Sequence, residues 1–172
     1  MKRGQKTPGF TIVELLIVIV VIGILAAISV VAYGTVQTNA RNKQVIAGAA
    51  AYNKAVMQYQ AETGLIPTIE GCLGANYPSN QCWTGAPVRS VNASLDTLLS
   101  PYLSNKPTLA TSLMNMDGTN NRAGLAYIYN FPAAGQGELR FYLNGNGQNC
   151  SVAGFSAANE GTLTNCYKRF SP

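Results

Sequence analysis

From Leu15 to Ala40 the chain carries no charged residue, and between Leu15 and Ala32 only Gly23 and Ser29 interrupt an apolar run. Extended back to Phe10 and on to Tyr33, this segment covers 24 residues. As an α-helix it measures about 36 Å at 1.5 Å per residue, against about 30 Å for the hydrocarbon core of a bilayer. It is long enough to span a membrane. Lys2, Arg3 and Lys6 precede it, and positive residues hold a short leading end in the cytoplasm. Those three cations also supply most of the formal charge of +5, and without them the chain stands at +2. No basic stripe is implied, and no nucleic-acid partner is expected.

A secretory signal peptide shares the basic start, and Ala32-Tyr33-Gly34 loosely resembles a small-x-small cleavage site. Two features argue against it. The apolar run is longer than a usual signal core, and Glu14 stands near its start. A central Asp costs roughly 2.5–3.5 kcal/mol to insert, with less expected near the interface. Thr11-Ile12-Val13-Glu14 reads as a capping box, with Thr11 as N-cap and Glu14 at the third helical position. A negative charge there also suits the helix dipole. A carboxylate in a membrane segment is in addition a functional candidate that calls for a partner charge.

Gly9-Phe10-Thr11-Ile12-Val13-Glu14-Leu15-Leu16-Ile17-Val18-Ile19, followed by Ile22-Gly23-Ile24-Leu25-Ala26-Ala27-Ile28, resembles the N-terminus of type IV prepilins over about the first 35 residues. The resemblance implies cleavage between Gly9 and Phe10 by a prepilin peptidase, methylation of the new Phe10 amine, and pairing of Glu14 with the N-terminal amine of a neighbouring subunit. It implies a helical homo-oligomer assembled through Phe10–Tyr33 with the help of a pilus assembly platform. The subunit would sit in the cytoplasmic membrane before assembly and in a surface pilus afterwards. Pairing has a physical basis, because an unpaired carboxylate in an apolar core is costly. The sequence departs from the family in two places. Pro8 stands where many prepilins have a polar residue, and Val31 where many major pilins have a helix-kinking proline. A bend in the helix would then fall to Gly23 or Gly34.

Beyond the apolar run, Val45, Ala49, Tyr52, Val56 and Tyr59 recur at spacings of 4, 3, 4 and 3. This is an amphipathic stripe for packing on a sheet, and it is too short for a sustained coiled coil. Gly64 and Pro67 stop the helix. Residues 64–122 lack periodicity and read as an ordered loop with one short helix near Ser94–Leu103. Strand patterns follow at Leu125–Phe131 and Glu138–Leu143, with weaker ones at Ser151–Phe155 and Leu163–Phe170. The expected organisation is a basic leader at 1–9, an apolar assembly helix at 10–33 and an amphipathic continuation at 34–63. The loop region at 64–122 and a sheet at 123–172 complete it. The fold class is α+β and pilin-like, with the second half of one long helix packed on a small antiparallel sheet.

Cys72, Cys82, Cys150 and Cys166 all follow the membrane segment. An even count in an exported domain reads as two disulfides, for which three pairings exist. Cys72–Cys82 and Cys150–Cys166 are favoured because each closes a short local loop, and the second resembles the C-terminal disulfide loop of many pilins. A four-thiolate zinc site lacks any C-x-x-C pair. Asp117-Gly118-Thr119-Asn120-Asn121 offers oxygen ligands but does not match an EF-hand, so a turn is the plainer reading. Asn92-Ala93-Ser94 and Asn149-Cys150-Ser151 match the N-glycosylation pattern. Trp83 is either a ligand anchor or a partner of the disulfide beside it. The chain has no His and only 11% charged residues, which removes the commonest general base and zinc ligand. No enzyme, cofactor or metal is expected. The function reads as a structural pilus subunit, with a minor pilin or pseudopilin serving adhesion, secretion or DNA uptake as the alternative.

Overall fold

The structure is a computed structural model that describes residues 9–172. Apart from Gly9, the expected leader lies outside the described residues. The chain divides into a unit ending at Asn39 and a unit spanning Ala40–Pro172.

Helix α1 runs from Ile12 to Thr63. It has no interior proline, and it continues through Gly23 and Gly34 without interruption. Its end is set by Gly64, whose φ is +71°. The Gly64 N–H donates to Gln60 O at 2.9 Å, the single bond of an αL C-cap.

In the second unit, Val45, Ala49, Tyr52 and Val56 of α1 are buried, and Tyr59 packs half-buried against them. The same face also buries Asn42 and Gly48. A Cβ at Gly48 would collide with the end of the Leu109 side chain, which packs in the space that glycine leaves. The Asn42 side-chain amide clasps the backbone of Asn144, accepting from its N–H at 2.9 Å and donating to its O at 3.1 Å.

The main sheet is antiparallel, in the order β1 (Gly71–Leu73), β6 (Leu125–Tyr129), β7 (Gly137–Asn144), β9 (Leu163–Phe170), β8 (Ser156–Glu160). On β7, Leu139, Phe141 and Leu143 share one face by the period of two, and they lie in one core with the buried residues of α1. Phe141 stands opposite Leu125 on β6 and Cys166 on β9. Tyr77 ties β1 to β6 beyond the ladder. Its hydroxyl donates to Leu73 O at 2.7 Å and accepts from Leu125 N at 3.2 Å. Burial pushes that hydroxyl's pKa well above the ordinary tyrosine value.

Residues 64–122 hold more regular structure than the sequence pattern suggests. Besides β1, they form a second sheet in the order β3 (Arg89–Ser90), β2 (Gln81–Thr84), β5 (Asn121–Arg122), β4 (Met114–Asn115). Its strands are two to four residues long, too short to show alternation. The short helix is α2 (Ala93–Leu99), followed by a 3-10 turn at Ser100–Tyr102. Asn92 caps α2 by accepting from Ser94 N at 3.1 Å. The weak strand expected at Ser151–Phe155 lies instead at Ser156–Glu160, a polar edge strand that pairs along β9.

Candidate assembly site

Thr11 and Glu14 lock the start of α1. The Glu14 N–H donates to Thr11 Oγ1 at 3.2 Å, and the Thr11 N–H donates to Glu14 Oε2 at 2.8 Å. These two bonds form a reciprocal capping box. The Thr11 hydroxyl also donates to the same Oε2 at 2.8 Å. Both carboxylate contacts therefore fall on one oxygen. Among the described residues, Glu14 Oε1 has no hydrogen-bond partner.

Gly9 and Phe10 lie immediately before the cap, outside the helix and exposed. Phe10 is 90% exposed. Phe10, Glu14, Leu15 and Val18 border one shallow depression of about 330 Å³. Every large apolar side chain from Phe10 to Val36 stands exposed. This helix segment is long and apolar enough to cross a membrane. Its surface is held away from water only by lipid or by other protein.

The cysteines pair locally. Cys72 is bonded to Cys82 and Cys150 to Cys166, with Cα–Cα distances of 5.8 and 5.7 Å. The first bond joins β1 of the main sheet to β2 of the second sheet, which sequence spacing could not reveal. Loops of this size contribute about 3 kcal/mol each in chain-entropy terms.

Trp83 is 2% exposed. It meets Tyr142 edge-on at 5.7 Å, and the Arg122 guanidinium lies 5.1 Å from its ring. It is a packed core residue. Asp117 forms a turn, accepting from Thr119 N at 3.0 Å, Asn120 N at 2.7 Å and Asn120 Nδ2 at 2.7 Å. These bonds, the Asn120 side chain first, hold its carboxyl below the usual carboxylate range. The Asn92 amide nitrogen is engaged, donating to Glu70 O at 3.0 Å. Asn149 is exposed, and its Oδ1 accepts from Ser151 N at 2.9 Å.

Sequence reasoning missed a buried charge cluster. Glu138 is fully buried. It pairs with Arg140 at 2.5 Å and with Arg169 at 3.3 Å. Arg169 lies opposite Glu138 across the β7–β9 ladder, a register that no local motif encodes.

Residues 5–30 match the family described as "Prokaryotic N-terminal methylation motif". The chain is 36% identical over 74 residues to "Fimbrial protein EcpC" of Eikenella corrodens. That match covers 43% of this chain and 47% of the fimbrial protein, so the chain spans about half the length of the curated relative it matches. No solved structure matches. Both findings are likenesses of part of the chain, and they support the type IV prepilin reading of its N-terminal segment.

Proposed function

We propose that this chain is a structural subunit of a type IV pilus or a pilus-like filament. Its apolar helix inserts in the cytoplasmic membrane, and its leader is removed between Gly9 and Phe10 by a prepilin peptidase. The Phe10 amine is methylated. An assembly platform then moves subunits from the membrane into a surface filament, where their apolar helices bury one another. Burial of this surface drives association once lipid is left behind.

The observation that carries this reading is the division of labour on Glu14. One oxygen completes the helix cap, and the other is free among the described residues. The free oxygen sits at the leading end of an apolar surface, beside the residue whose amine cleavage would release. An ammonium from a neighbouring chain satisfies it in a low-dielectric core, and a paired charge there fixes the stagger between subunits. The chain's remaining role is mechanical: the cap holds the helix start, and the two disulfides brace the second unit.

Replacement of Gly9 by Phe tests the processing step. It should leave a membrane-held precursor that retains its basic leader, visible as a heavier band and as intact N-terminal peptides by mass spectrometry. Normal cleavage of Gly9→Phe, or a mature chain beginning after Ala32, would refute the proposed junction.

A further inference from the structure

Two adjacent depressions lie on the second unit. One, of about 460 Å³, is bordered by Lys54, Gln58 and Glu62 of α1 and by Tyr102. The other, of about 500 Å³, is bordered by Tyr52, Asp96, Ser100 and Lys106. Leu103, Ser104 and Asn105 line both, so together they make one groove with two lobes. Each lobe is within the size range of small-molecule sites.

The charges in the groove balance. Lys54 and Glu62 border the first lobe. In the second, Lys106 Nζ is 2.8 Å from Asp96 Oδ2. An anion or a cation gains no net attraction from this lining. What remains is a set of paired donors and acceptors. The amides of Gln58 and Asn105 and the hydroxyl of Ser104 both donate and accept, which matches a ligand rich in hydroxyl groups. An apolar ligand would instead strip water from these groups without replacing their bonds.

One further feature points to a ligand. The Tyr102 ring is held in place: its hydroxyl donates to Glu62 Oε2 at 3.0 Å, and its ring meets Tyr59 edge-on, with centroids 5.9 Å apart. A fixed aromatic ring offers a flat apolar face at little cost in conformational freedom.

We infer that this groove binds a neutral saccharide. The C–H face of a sugar ring rests on Tyr102, and its hydroxyls bond to Gln58, Ser104 and Asn105. The inference stands apart from filament assembly, since none of these residues belongs to the N-terminal site.

The test uses the full-length chain in a detergent without a sugar headgroup. Neutral oligosaccharides ending in glucose, galactose or an N-acetylhexosamine are arrayed beside uronic-acid and sulfated counterparts. Bound sugars are then titrated by saturation-transfer NMR. Neutral sugars should bind, and Tyr102→Ala and Asn105→Ala should each weaken binding about ten-fold. Tyr102→Phe keeps the ring and should stay within a few-fold of the parent. Lys43→Ala, outside the groove, should change nothing. Each variant is checked for a parental unfolding profile and intact disulfides. Absence of neutral-sugar binding, preference for the anionic set, or equal losses in Tyr102→Phe and Tyr102→Ala would overturn the inference.

Discussion

Cells carrying Glu14→Gln should contain normal amounts of cleaved, membrane-held subunit and few or no filaments. The glutamine carbonyl oxygen can still accept from the Thr11 N–H and hydroxyl, as Glu14 Oε2 does at 2.8 Å, so the start of α1 is preserved. Insertion becomes slightly easier, because a neutral side chain removes a desolvation cost. The second unit begins at Ala40, and its core and disulfides do not involve Glu14. Only the charge is lost. A neighbour's Phe10 amine would then be buried without a counter-charge, a penalty of about 3–5 kcal/mol where the site is fully desolvated. That is enough to shift a subunit-addition equilibrium by roughly two to four orders of magnitude. Immunoblots of subunit level and cleavage, read beside filament counts by electron microscopy, check the prediction. Normal filament numbers from Glu14→Gln would mean that capping is the whole role of Glu14.

Glu138→Ala should destabilise the second unit by about 3–5 kcal/mol. The carboxylate is fully buried under two guanidiniums. The Arg140 side chain is only 16% exposed, whereas that of Arg169 is 54% exposed. Removing Glu138 therefore strands Arg140 in a poorly hydrated site, while Arg169 turns to solvent at little cost. Arg140 also touches Glu160 at 3.9 Å, too long and too exposed a pair to replace the lost one. Glu138→Gln keeps an acceptor for Arg140 and should lose less than the alanine variant. Denaturant unfolding of the solubilised full-length chain measures both. A loss under about 1 kcal/mol for Glu138→Ala is what an ordinary surface pair would give, and it would mean that Arg140 finds water or another partner.

The parts of this protein that were legible in its sequence share a property: their cause is local. The membrane-length helix follows from an uninterrupted apolar run. Its cap follows from Thr11 and Glu14 at a spacing of three, and its end from Gly64. β6, β7 and β9 are five to eight residues long, long enough for a strand pattern to emerge. The illegible parts have non-local causes. Asn42 and Gly48 break the apolar stripe of α1, yet both face the core, one to clasp Asn144 and the other to admit Leu109. Glu138, Arg140 and Tyr142 alternate with apolar residues on β7, a pattern that ordinarily marks a solvated face. Here Trp83 and Arg122 of the second sheet pack on Tyr142, and the short strands that carry them leave no periodic trace. At the N-terminal site, the roles of Gly9, Phe10 and Glu14 were suggested by motif. That one Glu14 oxygen is unshared among the described residues depends on side-chain geometry and was visible only in the structure.

Mass spectrometry of filaments sheared from the cell surface tests most directly whether this chain is a polymerising pilin. Intact-mass and peptide data should show the chain as a filament component that begins at N-methylated Phe10 and carries its four cysteines as two disulfides. Filaments that lack the chain, or a surface-released form that begins after Ala32, would contradict it.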